Sequence, residues 1–159
     1  MKTFDFWQKW LFTAGVIVAA FGLALAFFNQ TVLFDALFND HIDPQFWDGA
    51  ALTPESLRFQ RWIYGVLGAT VSGWGVLLAF LARYAFRKKE RWAWNGIAGS
   101  MLLWYLADTA ISLQFGVTFN AAFNTLLLVL VALPLSFTRR YFFPDSSKHH
   151  HRHSPKGTA

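Results

Sequence analysis

Trp92–Phe115, WAWNGIAGSMLLWYLADTAISLQF, is the stretch whose reading decides the fold. It is long and apolar enough to cross a bilayer as one α-helix, which takes about 20 such residues. Inside it stands a single carboxylate, Asp108. A charge at membrane depth costs ~2.5–3.5 kcal/mol on insertion scales. A chain that keeps one there has a structural or a functional use for it.

The composition agrees with a membrane setting. Of 159 residues, 55% are hydrophobic and only 14% charged, where a soluble domain carries about 25% charged residues. The net charge of +5 sits mostly at helix ends and in the tail, so it describes membrane topology and not a nucleic-acid partner. The absence of cysteine excludes disulfides, thiolate metal sites and cysteine nucleophiles.

Working outward, three further apolar runs accompany this helix: Leu11–Phe28, Trp62–Ala82 and Phe119–Phe137. The expected fold is an all-α, antiparallel bundle of four transmembrane helices, formed by residues 1–143. A basic, His-rich tail over 144–159 is expected to be disordered and cytoplasmic. Lysines and aromatic rings in Met1–Trp10 suit an interfacial anchor. Ala24-Leu25-Ala26 offers a signal-peptidase pattern, but the length of the apolar run favours an uncleaved span. The acidic segment Asn29–Ser56 holds a short amphipathic surface helix over Thr31–Phe38. Thr53 has the position of an N-cap, with Pro54 at the first helical position. Gly116 breaks the third span from the fourth, and Pro134 should kink the fourth or free a carbonyl.

Small residues mark close helix packing. Gly15, Ala19, Gly22 and Ala26 supply them in the first span, and Gly65, Ala69 and Gly73 in the second. The second set reads as an internal contact, or as the face for a homo-oligomer or a partner membrane protein. Lys2, Lys9, Arg83, the Arg87–Arg91 turn, Arg139 and Arg140 fall on one side of the membrane and the acidic segment on the other. The positive-inside rule then puts both termini in the cytoplasm.

Asp108 lies about seven residues from the outer end of its helix, hence ~10 Å deep at 1.5 Å per residue. Asn124 has a similar depth in the fourth span, and Asn120 lies one turn above it. Trp104, Asp108 and Ser112 share one helix face, flanked by Tyr105. Arg61, at the mouth of the second span, is the candidate counter-charge. Two readings stand side by side. Either Asp108, Asn120, Asn124, Ser112, Trp104, Tyr105 and Arg61 line an outward-facing pocket, or the polar groups clasp one another and fix helix register.

Other chemistry finds little support. Asp40, His41 and Asp43 are weak candidates for a divalent cation, at a spacing that matches no established loop. The histidines of the tail carry no assigned role. No spanning segment contains a histidine, which removes bis-histidine haem ligation. GxSxG, HExxH and Walker patterns are absent, so no cofactor is expected.

The stretch from about Arg58 to Arg140 resembles small four-helix membrane proteins of bacteria, DoxX-like in organisation. The resemblance rests on the Gly65–Gly75 small-residue helix, on the basic turn running into Glu90-Arg91-Trp92-Ala93-Trp94, and on the lone acidic Asp108. It implies a bacterial inner-membrane location and a compact bundle, and it brings no catalytic residues. The expected function is a binding or accessory module for a lipid, a small molecule or a partner membrane protein. An oligomeric transporter or channel with Asp108 as its proton- or cation-responsive group is the alternative. A lipid enzyme, with Tyr64 or Tyr105 assisting Asp108, comes third.

Overall fold

A computed structural model describes residues 2–48 and 50–144. The reading of the tail therefore falls outside the described residues, apart from its first position. Four long helices carry the chain: α1 (Lys2–Phe28), α2 (Pro54–Leu81), α3 (Arg91–Gln114) and α4 (Thr118–Phe142). Among the described residues there is no strand.

The helices begin and end where local chemistry dictates. The Thr53 hydroxyl accepts the Ser56 N–H at 3.2 Å, and Pro54 occupies the first turn of α2, where its missing N–H costs nothing. At its far end α2 runs into a π-helical turn, Ala82–Phe86. Gly116 takes φ +73° in the tight α3–α4 turn, a left-handed conformation open to glycine at no steric cost. α1 starts at Lys2, well before the apolar run does. Phe4, Gln8 and Leu11 are buried on one face of its first turns, so packing extends the helix beyond the hydrophobic window. α4 likewise continues to Phe142, whose carbonyl accepts the Arg91 Nε–H at 2.8 Å.

α1 and α2 form an antiparallel hairpin in which backbones touch. Gly15 faces Gly75 and Ala79, Ala19 faces Gly75, Gly22 faces Gly68 and Ser72, and Ala26 faces Gly68. A Cβ at Gly15, Gly22, Gly68 or Gly75 would collide with backbone atoms of the opposite helix. The stripe on α2 is thus Gly68, Ser72, Gly75 and Ala79, which corrects the expected internal face. Gly65 is barely approached, Ala69 is exposed, and a Cβ at Gly73 meets nothing within 4 Å. The reason is periodicity. Spacings of four, three and four stay on one face of a helix, whereas repeated fours rotate away from it.

α3 and α4 form the second hairpin, and α1 joins the two by packing on α4. Trp7 stacks on Phe137 with centroids 4.8 Å apart, and Phe21 meets Phe123 at 5.5 Å. The packing order is therefore α2, α1, α4, α3, with α3 also touching the π-helical turn that ends α2. Pro134 does not break α4. Its missing N–H frees the Leu130 carbonyl, and the Trp10 indole N–H donates to that oxygen at 2.9 Å.

A buried apolar core lies at the basic end, where Phe4, Phe86 and Phe142 cluster with Leu11, Ile97, Val131 and Leu135. At the acidic end, Val32–Phe34, the π-helical turn Asp35–Asn39, Asp40–Ile42 and Pro44–Trp47 fold over the bundle. The expected amphipathic helix is thus a cap. Phe38 meets Phe21, Phe119 and Phe123 with centroids 5.6–5.7 Å apart, and Phe34 meets Tyr64 at 5.7 Å. Val32, Leu33 and Leu37 point outward.

All four helices are long and apolar enough to cross a membrane. Large apolar side chains, among them Phe27, Val76, Leu103 and Leu106, remain exposed along them. A soluble monomer rarely leaves contiguous apolar surface of that extent. The chain is a multi-pass membrane protein.

Candidate functional site

The α3–α4 turn at Gly116 is short, so residues equidistant from it must face each other. That geometry brings Asp108 and Ser112 on α3 against Asn124 and Asn120 on α4. Asn120 Nδ2 donates to Asp108 Oδ1 at 2.8 Å and to Ser112 Oγ at 2.8 Å. Asn124 Nδ2 donates to the same carboxylate oxygen at 3.0 Å and to Thr109 Oγ1 at 3.4 Å. The Ser112 hydroxyl shares its one proton between the Asp108 carbonyl, 2.7 Å away, and Oδ1, 3.2 Å away.

Three of these bonds, from Asn120, Asn124 and Ser112, converge on Oδ1. Among the described residues Oδ2 has no hydrogen-bond partner, and it is not sealed inside the protein. Asn124 is only 2% exposed, while Asp108 and Asn120 are half-buried. The carboxylate is thus gripped on one side and open on the other.

The magnitudes show why no counter-charge is needed. Hydrogen bonds to a charged group contribute about 1.5–3 kcal/mol each. Two amide donors and a shared hydroxyl offset an insertion cost of ~2.5–3.5 kcal/mol. Arg61 is accordingly not part of the site, which corrects the expected ion pair. It is exposed, and among the described residues no carboxylate lies within ion-pair distance of it. The small-residue contact holds α2 against α1, away from the Asp108 face of the α3–α4 hairpin.

The remaining candidates divide. Tyr105 stays near the cluster, but its hydroxyl pairs with Thr125 Oγ1 at 3.3 Å and not with Asp108. Trp104 is half-buried on the same helix face and makes none of the cluster's hydrogen bonds. Thr109 and Thr125 also belong to the polar layer, though neither is among the residues that the helix-face spacing of Asp108 picks out. Their adjacency to Asp108 and Asn124 was the available signal.

The acidic cap holds a second, separate polar group. Gln60 Nε2 donates to Asp43 Oδ1 at 2.7 Å, and Asn39 Nδ2 donates to Asp35 Oδ1 at 2.7 Å. Burial pushes the Asp43 carboxyl up from its ordinary range; the Gln60 bond opposes this, and the charges of Asp35 and Asp40 reinforce it. The His41 ring stacks on Phe119 at 4.8 Å. Among the described residues no three His, Asp or Glu side chains gather as a metal would require.

Below Asp108, toward the basic end, the facing layers are apolar: Met101, Ala98, Ile97, Val131 and Leu135. The polar layer therefore stops within one half of the hairpin. Comparison of the chain with protein-family models, curated proteins and solved structures finds no match.

Proposed function

We propose that this protein is a membrane-embedded binding module. Its α3–α4 hairpin holds the Asp108 carboxylate by Oδ1 and offers Oδ2 to a cationic or hydrogen-bond-donating group. That group belongs to a ligand or to a helix of a partner membrane protein. The single observation carrying the reading is the asymmetry of the carboxylate, with every donor among the described residues on one oxygen and none on the other. A clasp serving stability alone would gain by using both oxygens, since an unpaired carboxylate oxygen at this depth is costly. The apolar layers below favour binding over passage, because a proton or cation route would need polar groups onward from Asp108.

The basic residues at one end support a cytoplasmic placement of both termini, with the Asp108 half on the opposite side; a bacterial inner membrane is what the DoxX-like resemblance implies.

A photo-crosslinking side chain at Ile111, exposed one turn from Asp108, tests the binding reading in native membranes. The expected result is a discrete adduct that Asp108→Asn abolishes while thermal stability stays within a few degrees. Asparagine retains an acceptor for the α4 amides and replaces the free oxygen by a donor. Loss of the fold in Asp108→Asn, or an adduct indifferent to the substitution, would leave the cluster as a clasp.

A further inference from the structure

The basic end of the α1–α2 hairpin contains a groove that the Asp108 reading does not use. A cavity of about 320 Å³ is lined by Asp5, Gln8, Lys9, Phe12, Arg83 and Arg87. An adjoining open surface recess of about 430 Å³ is bordered by Arg83, Tyr84, Arg87 and Lys88. Arg83 and Arg87 stand between the two. The smaller space equals roughly ten waters at ~30 Å³ each, enough for a phosphodiester with its attached glycerol.

Three features set this groove apart from an ordinary basic membrane interface. First, it is built. The π-helical turn Ala82–Phe86 carries Arg83 at its second position, and the buried Gln8 side chain donates to the Ala82 carbonyl at 3.0 Å. π-turns of this kind are found disproportionately at functional positions. Second, its cations are unspent. The Arg83 guanidinium lies over the Phe12 ring, 5.9 Å from its centroid, and among the described residues neither arginine has a carboxylate within ion-pair distance. Third, its chemistry changes along its length. Asp5, Lys9, Phe12 and Val16 follow helical spacing on α1; Arg87, Arg83, Phe80 and Val76 do so on α2 and the π-helical turn that continues it. Charged positions occupy the end of the hairpin. Val16, Val76 and Phe80, deeper in the membrane, are all exposed.

We propose that this groove binds one anionic phospholipid, its phosphodiester held by Lys9, Arg83 and Arg87 and one acyl chain lying along Phe12, Val16, Val76 and Phe80. Guanidinium groups match phosphate oxygens in fork geometry and tolerate partial burial better than ammonium groups do. Basic pockets between transmembrane helices suit such headgroups. Asp5, at the rim, repels the second charge of a phosphomonoester and accepts hydrogen bonds from headgroup hydroxyls. The combination selects a singly charged, hydroxyl-bearing headgroup of the phosphatidylglycerol type.

The full chain, delipidated in detergent, is titrated with phosphatidylglycerol, phosphatidic acid, phosphatidylcholine or inorganic phosphate and read by native mass spectrometry. The expected result is one retained phosphatidylglycerol per chain, bound at least tenfold more tightly than phosphatidylcholine. The double variant Arg83→Gln/Arg87→Gln loses that preference, and Lys9→Gln, on the opposite helix wall, weakens it. The charge-matched Arg139→Gln/Arg140→Gln keeps it. Asp5→Asn narrows the margin of phosphatidylglycerol over phosphatidic acid. Melting curves confirm that each variant is folded. Equal loss in both arginine pairs would mean diffuse interfacial charge, and displacement of the lipid by millimolar inorganic phosphate would mean a free-anion site. Either result overturns the proposal, as does retention of phosphatidylcholine at equal strength.

Discussion

The Trp10 indole donates to the Leu130 carbonyl at 2.9 Å, and Leu130 is the residue whose helical partner Pro134 removes. One helix thereby repairs the backbone of another. In hydrocarbon there is no water to take over such an acceptor. Trp10→Phe keeps the ring and deletes the donor, and should cost about 1 kcal/mol, within the range for interhelical bonds in membranes. Restoring the missing amide by Pro134→Ala should shrink that cost. A double-mutant cycle by reversible unfolding in detergent or bicelles reads the coupling. Equal costs of Trp10→Phe in both backgrounds would show that the bond does not serve the proline.

The backbone contact between α1 and α2 predicts opposite fates for two glycines only two positions apart. At Gly75 a methyl group meets the backbone of Ala19, and at Gly73 it meets nothing. Gly75→Ala should force the helices apart and lower stability by about 1–3 kcal/mol, the range for overpacking. Gly73→Ala should be neutral, or should stabilise by up to ~1 kcal/mol through helix propensity. Thermal melts of the two variants side by side decide the matter. A destabilising Gly73→Ala would place an unseen neighbour on that face.

These two glycines also show what was legible in advance. Hydropathy located all four spans, and Thr53 and Gly116 marked their boundaries, because caps and turns are local chemistry. The Asp108–Asn124–Asn120 layer was legible for a related reason: a tight turn at Gly116 fixes the register of the helices it joins. Arg61 was not, since it is tied to α3 only through the rest of α2 and the basic turn, and hydropathy says nothing about the order of helices around a bundle. The α2 packing stripe was readable in principle. Gly68, Ser72, Gly75 and Ala79 repeat the four-three-four spacing of Gly15, Ala19, Gly22 and Ala26, and the match between helices outweighs the count of small residues within one. The extension of α1 to Lys2 was hidden because Gln8, a polar residue, is buried by a bond to a carbonyl on another helix.

The acidic cap should respond to pH through Asp43. Its carboxyl is raised in the folded protein, first by burial and then by Asp35 and Asp40, against the opposing Gln60 bond. The folded state therefore binds a proton that the unfolded chain has already released. Stability is fully present below the unfolded value, near 3.8, and falls as pH rises through the raised folded value. Asp43→Asn keeps an acceptor for Gln60 and removes the charge. It should stabilise the protein at neutral pH, with the benefit vanishing as pH drops below about 4. Melting temperature against pH for both proteins is the measurement. A benefit that persists unchanged in acid would put the effect outside the titration of Asp43.

Asn124 should matter more than any other donor to Asp108, because it is the most deeply buried member of the layer. Removing it takes one of three donors from Oδ1 at the most buried point of the layer, whereas removing Asp108 as well leaves no carboxylate short of a donor. Asn124→Leu alone should destabilise by about 1.5–3 kcal/mol, the scale of a hydrogen bond to a charge. Asp108→Leu combined with Asn124→Leu should recover much of that loss, since paired polar groups in an interior are often replaceable by apolar ones. The recovered double variant separates stability from binding: it is expected to fold and yet to lose the crosslinked adduct at Ile111. A double variant that folds and still forms the adduct would move the binding surface away from Asp108. One that is less stable than Asn124→Leu would show that the rest of the layer, Asn120 and Ser112, depends on the carboxylate as its hub.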